Sequence, residues 1–236
     1  MKNIEGRELF NRRYLWGWKR LFAYEACGFF GRMFYGKKAP VKKNEAAQIL
    51  HLGCGFTYIS EFVNADYFYL RWLPWRDKSK YDWLLDFRRK MKCGDNHWDG
   101  VFSEHTIEHL HPADSLSLFD ELYRTMKPGA WMRICVPDLD ETLRLYDEAK
   151  AKRVGDEYYF LDGNIYANRA ETIFNLAQNY GHVSVWDEPL FAELLGYSGF
   201  INIRKMPYMQ GSDQRLLKDG ENRRAGSMYV EAQKPL

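Results

Sequence analysis

No stretch of the 236 residues contains the run of roughly 18–20 apolar side chains that crosses a bilayer, so a membrane-spanning helix is not expected. The opening Met1-Lys-Asn-Ile-Glu-Gly-Arg7 has neither an apolar core nor a small-residue cleavage site, and no secretory signal is expected from it. Cysteine is scarce. Cys27, Cys54, Cys93 and Cys135 show no Cys-x-x-Cys spacing, which argues against a disulfide framework and fits reduced thiols in a cytoplasmic protein. Cys54 and Cys135 fall in or beside apolar runs, where a thiol acts as a small hydrophobe. A third glycine is missing too: Gly53-x-Gly55 is followed by Phe56, Thr57 and Tyr58. A dinucleotide fingerprint needs that glycine, and a helix N-terminus to receive the pyrophosphate.

What is present begins with Gln48-Ile-Leu-His-Leu-Gly-Cys-Gly55, an apolar strand running into a glycine turn. Seven residues later Phe62-Val-Asn-Ala-Asp-Tyr-Phe68 reads as a second strand ending on the carboxylate Asp66. The connection is shorter than the ~10–12 residues of an ordinary helical crossover, so a full phosphate-facing helix does not fit. Glycine at 53 and 55 lets the backbone turn sharply and lets a ligand come close without a Cβ in the way. An acid at the tip of the next strand is suited to a pair of ribose hydroxyls. A ligand with ribose but without phosphate satisfies both readings.

Charge is uneven. Residues 1–43 hold eleven Lys/Arg against Glu5, Glu8 and Glu25, whereas the whole chain is only +2. Phe10, Tyr14, Trp18 and Phe22, with Leu15 and Leu21, recur at helical spacing over 8–25, so residues 1–45 are expected to form a basic, aromatic helical segment ahead of a domain at 46–236. Three roles compete for it: a lid packed on the fold, a surface element lying on anionic lipid at the inner face of a membrane, or a nucleic-acid arm. No nucleic-acid motif accompanies the charge, so nucleic acid is disfavoured as a partner. Aromatic residues make up 17% of the chain. Trp72 and Trp75, in a loop broken by Pro74, either wall a ligand or pack beneath the N-terminal helix.

Further along, Tyr81-Asp-Trp-Leu-Leu-Asp-Phe-Arg-Arg89 is an apolar run ending at Asp86. Trp98-Asp-Gly-Val-Phe-Ser-Glu-His-Thr-Ile-Glu-His-Leu-His-Pro112 is a strand ending near Ser103, then a polar turn carrying His105, Glu108, His109 and His111. A helix follows from Pro112, Lys127-Pro-Gly-Ala130 is expected to reverse the chain, and Trp131–Asp138 to form the fifth strand. A helix over 139–151, an aromatic insertion over 156–180, a helix over 188–196, a strand from Phe200 and a last strand over Ser227–Gln233 complete the pattern. The alternation predicts an α/β doubly wound, Rossmann-like, mostly parallel sheet of seven strands.

Leu-Gly-Cys-Gly, Val-Asn-Ala-Asp, Asp-Phe-Arg and Ser-x-His-x-x-Glu-His-Leu, in this order, resemble the motifs of class I S-adenosyl-L-methionine (SAM)-dependent methyltransferases. More narrowly they are similar to a group of predicted bacterial methyltransferases associated with cell-surface polysaccharide synthesis, over roughly residues 48–236. The resemblance implies SAM as cofactor, held by Gly53, Cys54, Gly55, Asp66, Asp86, Phe87 and Ser103, with Asp66 on the ribose and Asp86 on the adenine amine. It implies methyl transfer to an oxygen or nitrogen atom of a small-molecule or glycan acceptor. Two rival readings stand beside it: a SAM-binding protein without methyl transfer, and a peripheral membrane or RNA-associated protein that works through residues 1–43. His105, His109 and His182 are the candidate general bases, since an imidazole titrating near ~6.5 suits neutral operation. His105-x-x-Glu108-His109 is also similar to the Glu-x-x-Glu-His metal motif of certain small-RNA and quinone-precursor methyltransferases, with His182 to complete it. His105 replaces the first glutamate and Glu104 is one residue out of phase, so the sequence assigns no metal ligand.

Overall fold

The computed structural model describes residues 38–67, 81–151, 159–161, 164–166, 169–178 and 181–236, with Phe22, Glu25, Ala26, Phe29 and Met33. The expected helix over 8–25 and the loop bearing Trp72 and Trp75 lie outside the described residues, apart from Phe22 and Glu25 of that helix. Among the described residues, no helix is long and apolar enough to cross a membrane.

Nine strands and four α-helices follow one another along the described chain. Strands β1 (Ile49–Leu52), β2 (Val63–Asp66) and β3 (Trp83–Leu84) come first, then β4 (Trp98–Glu104), helix α1 (Pro112–Thr125) and β5 (Met126–Pro137). Helix α2 (Leu139–Ala151) comes next, and a hairpin of β6 (Tyr159–Leu161) and β7 (Asn164–Tyr166) with α3 (Arg169–Gln178) lies in the insertion. Helix α4 (Glu188–Tyr197), β8 (Ile201–Met206) and β9 (Ser227–Gln233) close the chain. The main sheet has seven strands in the order β3-β2-β1-β4-β5-β9-β8. Its first five strands are parallel; β9 pairs antiparallel with β5, and β8 antiparallel with β9. Strand β9 therefore lies inside the sheet and β8 forms its edge.

The period of two in these strands divides the sheet into unlike faces. Leu50, Leu52, Val63, Ala65, Val101, Met132, Ile134, Val136, Met228, Val230 and Ala232 point to one side and join the main core. Helices α1 and α4 cover it through Leu118, Phe119, Leu122, Phe191 and Leu195, with the Phe119 and Phe191 rings edge-on at 5.5 Å. Each such fully buried side chain contributes about 1.5–3 kcal/mol. Asp187 caps α4 by accepting from the Leu190 amide at 3.0 Å, and Pro112 opens α1 where its missing N–H costs nothing.

The opposite face carries His51, Asn64, Arg133 and Glu231 alongside Ile49 and Phe102, all buried. It is covered by the 207–226 loop, whose 3₁₀ turn Gln214–Leu216 sets Leu216 against Ile49, Phe62 and Phe102. Beneath the same loop Arg133 donates from Nε to Asp219 Oδ1 at 2.6 Å, and reaches Asp219 Oδ2 and Glu231 Oε1 at 2.5 and 3.4 Å. It also donates to the carbonyls of Gln210 and Pro207.

The expected reversal at Lys127–Ala130 takes place within the strand itself: α1 gives way directly to β5, and the register with β4 slips between Trp98↔Met126 and Gly100↔Trp131. The four residues form a bulge in the strand, with Gly129 at φ 77°. That conformation suits glycine, and the bulge accommodates the Pro128 that cannot donate to a ladder.

Candidate active site

The carboxyl ends of the parallel strands meet at one rim, and the strand order reverses there between β1 and β4. Ligands of open α/β sheets bind at such a switch point. The loop leaving β1 crosses directly to β2 without an α-helix; residues 53–62 are turns and bends. Its backbone groups are satisfied by side chains instead. Asn64 Oδ1 accepts from the Ile59 amide at 3.0 Å, and Asn64 Nδ2 donates to the carbonyls of Ile59 and Phe62. Tyr58 donates to Asp82 Oδ1 at 2.9 Å, and Asp82 Oδ2 pairs with Lys42 at 2.9 Å.

The glycines at the head of this loop serve different ends. Gly53 has φ 70°, and a Cβ there would lie 1.9 Å from Thr106 Oγ1. Gly53 is thus bare on its Cβ side so that Thr106 can pack on it. Gly55 has φ 51° and, among the described residues, nothing within 4 Å of where a Cβ would stand. Here the backbone is open. Asp66 lies just behind: its Oδ2 accepts from the Gly55 amide and its Oδ1 from the Tyr67 amide, both at 2.6 Å. These bonds hold the carboxylate in place at the head of the loop. Cys54 is buried, and burial pushes its thiol well above the usual range. Ser103 is buried as well and donates to the Leu52 carbonyl at 3.0 Å, tying β4 to β1 under the glycine turn.

Asp86 sits at the same rim, two residues beyond β3, and the Leu85 amide donates to the Asp66 carbonyl at 3.0 Å. The Asp86 carboxylate is held by Arg88, which donates to Oδ1 from Nε at 3.0 Å and from its own amide at 3.1 Å. Arg88 in turn binds Glu25 at 2.6 Å and the Tyr67 hydroxyl at 3.0 Å. Phe87 packs in the main core. Sequence reasoning passed over Arg88, although Asp86-Phe-Arg88 has the spacing by which a residue two positions on can bend back onto a carboxylate.

On the β4 side, His105 adopts φ 50°, a conformation that costs an L-residue roughly 1–2 kcal/mol. Its amide donates to the Cys135 carbonyl at 2.9 Å. The 3₁₀ turn Ile107–His109 follows and buries Glu108. The Val183 and Ser184 amides donate to the Glu108 carbonyl at 2.9 and 3.2 Å, bringing His182 over the Glu108 side chain. The cluster is then complete. His105 Nδ1 lies 3.2 Å from Glu108 Oε1, His182 Nε2 3.8 Å and His109 Nε2 4.0 Å. Burial alone would raise the Glu108 carboxyl, but the three imidazoles outweigh it and hold the group below its ordinary value. Burial pulls His182 below the usual imidazole value against the attraction of Glu108. The structure thus gathers all three candidate bases around one carboxylate. Through Thr106, which bonds the Leu52 carbonyl at 3.3 Å, the cluster adjoins the glycine loop.

The architecture is that of the Rossmann-like SAM-dependent methyltransferases. A SAM-dependent methyltransferase from Thermotoga maritima superposes with TM-score 0.50 at 13% identity, covering 96% of this chain and 99% of that one. A second, from Mesorhizobium loti, gives TM-score 0.50 at 15% identity, covering 92% and 98%. The CurJ carbon methyltransferase gives 0.48 at 10% identity, and this chain spans 50% of its length. No protein-family model and no curated protein matches the chain.

Proposed function

We propose that this protein transfers a methyl group from SAM to an oxygen or nitrogen atom of a small polar acceptor, and that the glycine loop, Asp66, Asp86 and the turn at 105–109 with His182 hold both partners. The observation that carries the reading is the pairing of the open Gly55 backbone with the anchored Asp66 carboxylate at the switch point. When bound, SAM supplies a methyl group already activated on a sulfonium sulfur. The chain's own task is then alignment, exclusion of water and removal of a proton. Gly55 gives bare backbone for a close approach. Asp66 offers its carboxylate to the ribose hydroxyls, and Asp86, steadied by Arg88, accepts from the adenine amine. Ser103 and Cys54 support the turn from beneath, and Phe87 fixes Asp86 from the core. The cluster of His105, Glu108, His109 and His182 takes the proton of a hydroxyl acceptor. The resemblance of the sequence motifs to methyltransferases of polysaccharide synthesis favours a sugar or glycan precursor as that acceptor, met near the inner face of the membrane.

Titration of the full chain with SAM and with S-adenosylhomocysteine tests this reading. Two hydrogen bonds from a carboxylate are worth about 1.5–3 kcal/mol each, so Asp66→Ala is expected to weaken binding at least ~100-fold. A thermal melt of the same variant separates lost contacts from lost fold. Near-normal affinity in Asp66→Ala would contradict the assignment.

A further inference from the structure

The environment of Glu108 asks for a positive charge that no described side chain supplies in bonding geometry. Both its oxygens are inaccessible and accept no hydrogen bond among the described residues. Burying a carboxylate in that condition is expensive unless a cation meets it.

The two nearest Nε2 atoms are settled by what lies behind them. His182 Nδ1 is 2.7 Å from the Leu176 carbonyl, and His109 Nδ1 is 3.3 Å from the Gly181 carbonyl. A carbonyl only accepts, so each Nδ1 carries the hydrogen and each neutral ring keeps its lone pair on Nε2. Those nitrogens are the atoms that stand 3.8 and 4.0 Å from Glu108 Oε1. The pocket therefore collects electron pairs from three side chains, with the rings of His109 and His182 edge-on at 5.0 Å. Placing a proton on either Nε2 would not close it, because an N–H···O bond does not form at these separations.

We propose that Glu108, His109 and His182 bind a divalent transition-metal ion, zinc or a first-row neighbour. Their ligand atoms all lie within 4.8 Å of one another. Ligands at ~2.0–2.1 Å from a tetrahedral ion stand roughly 3.3–3.4 Å apart, so binding brings each imidazole nitrogen about half an ångström closer to Glu108 Oε1. Both rings are already braced at Nδ1, the arrangement that orients metal-binding histidines. His105 is a positioning residue. It stands against Glu108 Oε1 through Nδ1 and meets Ser227 Oγ through Nε2 at 2.9 Å, bracing the carboxylate. Two imidazoles and one carboxylate leave at least one position for an oxygen ligand. A hydroxyl bound there would be more acidic and would pass its proton to water rather than to His109 or His182, whose lone pairs the ion would then hold. This use rests on the methyl-transfer reading above; the binding of the ion does not.

The test is calorimetry on the full chain after treatment with a chelator and its removal, titrating zinc chloride and manganese chloride in separate runs, then S-adenosylhomocysteine. One ion per chain is expected, bound at least about tenfold more weakly by His109→Ala and by Glu108→Gln. S-adenosylhomocysteine affinity should stay within about threefold in both variants, since neither residue is assigned to the adenosine. His109 is exposed, so its variant keeps the fold and guards against misfolding of the buried Glu108→Gln; urea midpoints verify this. Absence of binding by either ion, or undiminished affinity in His109→Ala, overturns the proposal. Ion binding without S-adenosylhomocysteine binding upholds the metal site and removes the methyltransferase reading; the reverse pattern removes the metal site alone.

Discussion

Replacing Gly53 by alanine separates two reasons for a glycine that a motif treats as one. At φ 70° an L-residue is penalised by roughly 1–2 kcal/mol before any contact is considered. The new methyl would also stand 1.9 Å from Oγ1, 2.5 Å from Cγ2 and 2.7 Å from Cβ of Thr106. Thr106 cannot simply swing aside: it is buried, and its hydroxyl is shared among the carbonyls of Leu52, Gly53 and Glu104. Overpacking of this kind typically costs 1–3 kcal/mol, so Gly53→Ala is expected to lose about 2–5 kcal/mol in all. Gly55→Ala carries the backbone penalty only, about 1–2 kcal/mol, because the space beside it is open. Urea unfolding of the two variants, with the slope checked for constancy, measures both. The decisive comparison adds Thr106→Gly to each. In the Gly53→Ala background it should return about 1–3 kcal/mol relative to its effect alone, and in the Gly55→Ala background nothing. Equal losses in the two alanine variants, or absence of coupling with Thr106, would refute the contact. SAM affinity should follow the opposite order, with Gly55→Ala the more damaged.

Two further perturbations probe the polar face of the sheet. Arg133→Met strands Asp219 and Glu231 out of water and should cost about 3–5 kcal/mol by urea unfolding; a loss under about 1 kcal/mol would show that the charges find other partners. His51 is held at about 4, against 6.5 for a free imidazole, chiefly by burial, with its bond to Asn64 partly opposing. Below pH 6.5 the unfolded chain takes up a proton that the folded chain refuses, so stability falls between about pH 6.5 and 4 and levels off below. The shift amounts to about 3 kcal/mol over that window, and His51→Leu should flatten the profile by this amount when urea midpoints are followed from pH 7 to 4. An unchanged slope in the variant would refute the assignment.

How far the sequence discloses these features depends on the range of the interaction. The β1 turn and the end of β2 are local signals, and that strand closes at Asp66 as expected. The short link between them also reads correctly as helix-free, because chain length alone forbids the helix. Thr106 is different. Nothing in its surroundings announces that it fills the space over Gly53, since that requires β1 and β4 to be adjacent. Arg133, Glu231 and Asp219 were hidden by alternation itself: charges at every second strand position read as a solvated face, and a polar loop reads as exposed. Only the folded chain shows loop 207–226 lying on that face. His182 could be named as a candidate from its chemistry, but its place beside Glu108 depends on backbone bonds from Val183 and Ser184.

The unlike faces of the sheet have a consequence for how the molecule closes. Grease tolerates slippage, and a purely aliphatic covering could settle one residue out of step at little expense. The strap over Arg133 has no such latitude. Its guanidinium is matched by two carboxylates and two carbonyls drawn from separate stretches of chain, and a shifted alignment leaves some of them dry and alone. That face behaves like a lock that admits one key position, which fixes how the last third of the chain is threaded across the sheet.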